Sequence, residues 1–383
     1  MSSPQAQLDR WGQTPWAIDF TPARHPLPRQ ADFVVIGAGF TGLAAAASLR
    51  MMAPDKSVVV LEAERIGHGA SGRTGGMVLA ESAAGELPGL GDVLGGLQTI
   101  LAEVSRAADV PIIERAGLSL PGAWEIARSS GFPESPISWN DSGTLRVVNE
   151  VPGGTLHPGR MVEALARAAE KLGATVIENA RVERVNWREK AEILFAGGRI
   201  SAGRVLLATN GLSLGLSGLA ENTHPKLTLA AATAPVSDEE IAAIGLAQRK
   251  PFYTVDFPYL WGRVCADNSI VWGAGLVGPS DLGDVEQVDI ASDEPARMFA
   301  RLEQRIRNLR PGLESLAFTH RWGGPILFRD GWKPVFSQHP ESREGIVLGA
   351  YAGHGVALST YLGHWAAEAM LGRRELPSWG RIE

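Results

Sequence analysis

The sequence predicts an α/β protein in which a nucleotide-binding domain is interleaved with an α+β domain built on an antiparallel sheet. Three observations carry this. A glycine-punctuated strand–helix–strand unit opens the chain, a second strand, glycine turn and helix lie near its far end, and an aromatic hairpin lies between them. The order of these pieces gives two interleaved domains, with residues 1–80, 154–215 and 336–383 on the nucleotide side and 81–153 and 216–335 on the other.

The first unit reads DFVVIGAGFTGLAAAASL over residues 32–49, followed by VVVLE over 58–62. Residues 33–36 form a short apolar, β-branched run. Gly37 permits a tight turn, Gly39 lets the backbone approach a pyrophosphate, and Gly42 lets the helix lie against the strand. The alanine-rich helix beginning near Phe40 and Thr41 aims free N–H groups and its positive dipole end at phosphates. Glu62, at the tip of the next strand, is placed to accept hydrogen bonds from ribose hydroxyls, and an acid there favours an unphosphorylated ribose. This is a Rossmann-type unit for FAD or NAD.

The next segment separates the two. Residues 63–77, AERIGHGASGRTGGM, are too glycine-rich for a helix and too long for a simple turn. They read as a second backbone cradle involving Ala63, Ala70, Ser71, Arg73, Thr74, Gly75, Gly76 and Met77. A flavin needs main chain wrapped along its ribityl and isoalloxazine portions, whereas an NAD site seldom does; the bland alternative is a surface loop. Together the two blocks resemble the D-amino-acid-oxidase superfamily of FAD-dependent oxidoreductases. The form R-I-G-x-G-A-S-G-R-x-G-G is similar to its gamma-glutamylputrescine oxidoreductase branch.

Later segments extend the resemblance over nearly the whole chain, residues 81–150 matching only loosely. The stretch 345–360 runs from a strand through Gly353, His354 and Gly355 into a helix containing Val356 and Ala357. Physically it is another helix N-terminus, suited to the negative charge a reduced flavin develops on its pyrimidine edge. Residues 259–273 read as a hairpin whose turn is Ala266-Asp267-Asn268. The resemblance adds Val182, Ala208, Thr209, Asn210 and Gly324 as cofactor contacts.

Between these motifs the apolar spacing predicts a helix from Met161, strands over 174–178 and 181–185, β-rich runs at 226–236 and 252–255, and a helix around 294–309. An N-terminal arm with Trp11 and Trp16 is expected to lie over the surface.

Composition sets bounds. A chain of 383 residues with 45% hydrophobic content holds a substantial core. Its single cysteine, Cys265, precludes an internal disulfide and leans towards a reducing compartment. The net charge of −6 has no long run of one sign, so neither nucleic acid nor an anionic membrane is an expected partner. No targeting segment is read, which makes the cytoplasm the expectation, and no metal site is expected.

The resemblance implies oxidation of an amine. A flavin opposite a C–H bond beside an amine nitrogen takes hydride at N5 and leaves an iminium that water hydrolyses, with dioxygen or another acceptor receiving the electrons. His354 and Arg263 are the catalytic candidates beside it. Tyr259, Trp261, Trp272, Trp322, Ile326 and Arg329 are the substrate candidates; core packing is the competing account of each aromatic. Relatives that hold an amino-acid carboxylate do so with an arginine that here corresponds to Ile326, or with a lysine that here corresponds to Ala357. A simple α-amino acid is therefore disfavoured unless another cation serves, Arg263, Arg329 and Lys333 being the candidates. An amino-acid oxidase with a relocated clamp, or a non-catalytic flavin-binding subunit, are the alternatives. No cysteine stands at the usual thioether position and Arg73 replaces a flavin-linked histidine, so non-covalent FAD is expected.

Overall fold

In the computed structural model the described residues are 10–129, 131–132, 134–219, 221, 223–277 and 285–382. The first sheet is built on Gln30–Ile36. It pairs in parallel with Val58–Leu61 on one side and with Gly198–Leu207 on the other. Thr175–Ile177 and Ser342–Gly349 extend the parallel set, so segments far apart in sequence share one ladder. Val182–Asn186, Ala191–Phe195 and Val335–His339 add antiparallel neighbours.

Helix Phe40–Met52 covers one face of this sheet and packs on the final helix, Gly355–Met370. Both are alanine-rich, which lets their backbones approach: a Cβ at Gly363 would stand 2.5 Å from the Thr41 carbonyl oxygen. Helix Pro158–Lys171 joins the same core.

The second sheet has the strand order Phe318–Arg329, Thr223–Thr233, Ile270–Val277, Trp261–Val264, Phe252–Thr254, Ala123–Arg128, Thr144–Val151 and Ser138–Asn140. All its pairs are antiparallel except Ala123–Arg128 with Phe252–Thr254. Helix Asp293–Leu309 covers one face through Phe299, Leu302, Ile306 and Leu309. The other face turns towards the first sheet.

Two features depart from the sequence reading. Helices Val93–Ala108 and Ile112–Ala116 fall in the stretch assigned to the substrate side, yet they pack on the nucleotide side. The stripe Leu94, Leu97, Leu101 and Val104 recurs at helical spacing and buries against that helical layer. The N-terminal arm is not a surface feature at its tryptophans. Trp11 is fully buried with Leu227, Leu229 and Phe299, and Trp16 is buried beside Trp322. An indole buries too much apolar area to be left in water when Leu227, Leu229 and Phe299 on one face of the second sheet, and Trp322 on the other, can cover it. No helix among the described residues is long and apolar enough to cross a membrane.

Candidate cofactor and substrate site

The turn after the first strand is shaped by close approach. Gly37 has φ +107°, and a Cβ there would lie 2.7 Å from the Ala208 carbonyl oxygen. At Gly42 a Cβ would lie 1.9 Å from the Gly37 oxygen, so only glycine lets the helix sit this near its strand. Helix Phe40–Met52 has no acidic residue in its first turn to neutralise its positive end. Ser71 of the second cradle accepts a hydrogen bond from the Phe40 N–H at 2.9 Å, joining the two glycine segments.

Glu62 accepts from the Ala38 N–H at 2.8 Å and from the Glu64 N–H at 3.1 Å. Burial raises its pKa above the ordinary value, opposed by these two hydrogen bonds. The carboxylate borders a cavity of about 1240 Å³ lying between the two sheets.

That cavity brings together most of the expected cofactor residues. Gly37, Gly39, Phe40, Thr41, Glu62, Ala63, Ala70, Ser71, Arg73, Thr74, Gly75, Met77, Val182, Ala208, Thr209, Asn210, Gly324, Gly353, His354, Gly355 and Val356 all line it. Gly42, Gly76 and Ala357 stand behind the wall. The C-terminal turn is tied to the first motif, because the Thr41 and Tyr351 hydroxyls lie 2.7 Å apart. Asn210 accepts from the Ala350 N–H at 2.9 Å. Burial lowers the pKa of His354, so its imidazole is neutral at pH 7.

Arg73 is a buried fastening. Its guanidinium donates to the carbonyls of His68, Trp11, Gly12 and Gly323, tying cradle, arm and substrate sheet together, and stacks 5.3 Å from the Trp11 ring. Burial lowers its pKa to about 10, which leaves it charged at pH 7. His68, stacked on Trp11, is held to about 4 by burial and by Arg73.

The substrate sheet supplies the opposite wall. Along Thr223–Thr233, residues His224, Lys226, Thr228 and Ala230 line the cavity; on the neighbouring strand their partners Phe328, Ile326, Gly324 and Trp322 do the same. This is the period of two expected of one sheet face. Trp261 lies over Gly75 and Gly273, where an added Cβ would come within 2.2 and 2.0 Å of its ring. Tyr259 and Arg329 also line the cavity, and Arg329 donates to the Arg381 carbonyl.

Three substrate-side candidates do not reach the cavity. Gly262 pairs with Trp272 and Trp261 with Gly273, so the two indoles point to opposite faces. Trp272 is fully buried against Trp139 and Phe252. Arg263 is buried between strand and cradle, donating from Nε to the Gly75 carbonyl and lying 5.2 Å over Trp16. It positions the cradle. Lys333 is also absent from the cavity wall.

Other wall residues belong to no motif: Lys226, Glu125, Glu81 and Arg305. Tyr253 donates to Glu125 at 2.8 Å, and Arg305 is held by Asp141 and by the carbonyls of Pro258 and Tyr259. Alternation along Thr223–Thr233 was the signal that selects Lys226, once one member of that face is known.

The family model for FAD dependent oxidoreductases, DAO, matches residues 32–369. The chain belongs to this family. As a DAO protein it is 26% identical over 388 residues to gamma-glutamylputrescine oxidoreductase of Escherichia coli K12, covering 90% of this chain and 84% of that one. It is 25% identical over 386 residues to a probable oxidoreductase OrdL of Rhizobium meliloti, covering 91% and 85%. Its fold matches glycine oxidase from Bacillus cereus with TM-score 0.72 at 16% identity, covering 92% of this chain and all of that one. It matches L-proline dehydrogenase from P. horikoshii with TM-score 0.67 at 18% identity, covering 92% and 96%.

The DAO cofactor fits the residues present. The glycines leave main chain exposed where side chains would collide, and Glu62 faces the cavity. Thr209, Ser359 and His68 line the same space, and the buried hydroxyls of the first two and the Nε2 of the third have no hydrogen-bond partner among the described residues. Unpaired polar atoms of this kind are costly unless a polar ligand satisfies them.

Proposed function

We propose that the protein oxidises the C–N bond of a primary or secondary amine, giving an imine that hydrolyses, with FAD held non-covalently and dioxygen or another carrier as the final acceptor. The observation that carries this reading is the meeting of the glycine cradle and an aromatic substrate wall, with Trp261 seated directly over Gly75. When bound, FAD supplies the acceptor for the hydride of the substrate C–H bond.

The chain's own residues do the rest. Glu62 and the N-terminus of helix Phe40–Met52 hold the ribose and pyrophosphate ends, and Ser71 fixes the cradle against that helix. The Gly353-His354-Gly355 turn presents N–H groups at the start of the final helix. Trp261, Trp322, Tyr259 and Ile326 form the wall that orients the substrate. Desolvation against this surface penalises an ammonium ion and so favours the neutral amine, whose lone pair is needed as the C–H bond breaks. The neutral imidazole of His354 serves as a hydrogen-bonding neighbour and not as a fixed charge.

Names among the relatives support the substrate class, since one is a gamma-glutamylputrescine oxidoreductase and a fold neighbour is a glycine oxidase. The test is anaerobic mixing of the yellow holoprotein with polyamines, N-methylated amines and amino acids. At least one amine bleaches the flavin; failure of every amine overturns the reading and leaves an electron-transfer or assembly role.

A further inference from the structure

We propose that Lys226 is the carboxylate-recognising residue of the substrate cavity, so that the amine oxidised here carries a carboxylate group. The inference rests on the amine-oxidation reading for the reaction, but not for the binding.

Lys226 lies on Thr223–Thr233 directly opposite Ile326, and both line the cavity. Opposed residues on paired strands put their side chains on the same face. Ile326 in turn borders the C-terminal turn, since a Cβ at Gly353 would stand 3.3 Å from its Cδ1. The lysine therefore belongs to the wall facing the Gly353-His354-Gly355 turn. It is half-buried, and it has no hydrogen-bond or ion-pair partner among the described residues. Neighbouring cations are already engaged. Arg329, on the paired strand, donates to the Arg381 carbonyl. Arg305 is bound to Asp141.

An ammonium without a counter-ion in a partly apolar wall is stabilised by an anionic ligand. Thr228 and Gly324, the next opposed pair on this face, and Ile326 bring no carboxylate of their own to the lysine's side of the sheet. A carboxylate held by Lys226 would leave the amine end of the same molecule free to lie along the aromatic part of the wall.

The test uses the holoenzyme with hexanoate and its neutral isostere hexanamide, which carry no oxidisable amine. Binding is read from perturbation of the flavin absorption bands and from calorimetry. Wild type binds hexanoate in preference to hexanamide. Lys226→Met weakens hexanoate by about 10- to 100-fold, in line with loss of a charge-assisted hydrogen bond, leaves hexanamide unchanged, and Lys226→Arg restores most of the loss. Absence of hexanoate binding by wild type, wild-type affinity in Lys226→Met, or equal weakening of both ligands overturns the proposal. Anaerobic reduction by 6-aminohexanoate and by hexylamine is measured separately. If neither these nor any other amine bleaches the flavin while hexanoate still depends on Lys226, the reaction assignment fails and the carboxylate site stands.

Discussion

The Nε1–H of Trp322 donates to the carbonyl oxygen of Arg73 at 2.8 Å, a buried hydrogen bond from the substrate sheet to the glycine cradle. Phenylalanine at 322 keeps most of the ring but leaves that carbonyl without its donor. Trp322→Phe should cost about 1–3 kcal/mol of stability, the range for an unsatisfied buried acceptor. Chemical denaturation checks it, together with FAD retention, which should fall because the cradle is loosened. Unchanged stability would mean that water or a backbone shift replaces the bond.

Acid precipitation of the yellow protein should release FAD into the supernatant. Arg73 is committed to four backbone carbonyls and presents no nucleophile for attachment. Colour remaining in the pellet would contradict non-covalent binding.

Glu62→Ala should weaken FAD binding by about 10- to 100-fold with the fold intact, because hydrogen bonds from hydroxyls to an ionised carboxylate are worth about 1.5–3 kcal/mol. Equilibrium dialysis measures this.

The same residue gives a pH signature in the apoprotein. Burial raises the folded-state pKa of Glu62 above 4.5. Its contribution is thus fully present below that value and is lost as pH rises through the folded pKa. Relative to Glu62→Gln, which cannot titrate, the wild-type apoprotein should lose stability on going upward from pH 4.5. Parallel melting curves for the two proteins across this interval would refute the shift.

The tryptophans of the hairpin should separate cleanly. Trp272→Ala empties part of a core shared with Trp139 and Phe252 and should cost about 3–5 kcal/mol, while the folded protein reduces its flavin at the wild-type rate. Trp261→Ala opens the cavity wall and should slow anaerobic reduction with a smaller loss of stability. Equal kinetic effects would place both rings in the site.

How much of this was legible in the chain depends on whether the determining contacts are local. The glycines at 37, 39 and 42 and the acid at 62 declare themselves because turn geometry, close approach and strand length are set within a few dozen residues. The hairpin 261–273 was equally readable, and its register alone puts Trp261 and Trp272 on opposite faces; counting outward from the Ala266–Asn268 turn was the missing step. Other facts are not local. Trp11 and Trp16 look like surface residues of a proline-rich arm until the second sheet exists to receive them, Trp11 against Leu227, Leu229 and Phe299 and Trp16 against Ala230 and Trp322. Lys226 carries no motif, and only its pairing with Ile326 reveals which way it faces.

The buried arm has a consequence for biosynthesis. Gly12 and Trp11 hand their carbonyls to Arg73, and the Trp11 carbonyl also accepts from the Gly323 N–H at 2.8 Å. On the ribosome, residues 11–16 therefore have no complete docking place until synthesis has passed residue 323, and they wait exposed while roughly three hundred residues emerge, which is a slow, high-contact-order closure. Protease protection of the arm should arrive late in translation, making an early segment of the chain the clasp that shuts last.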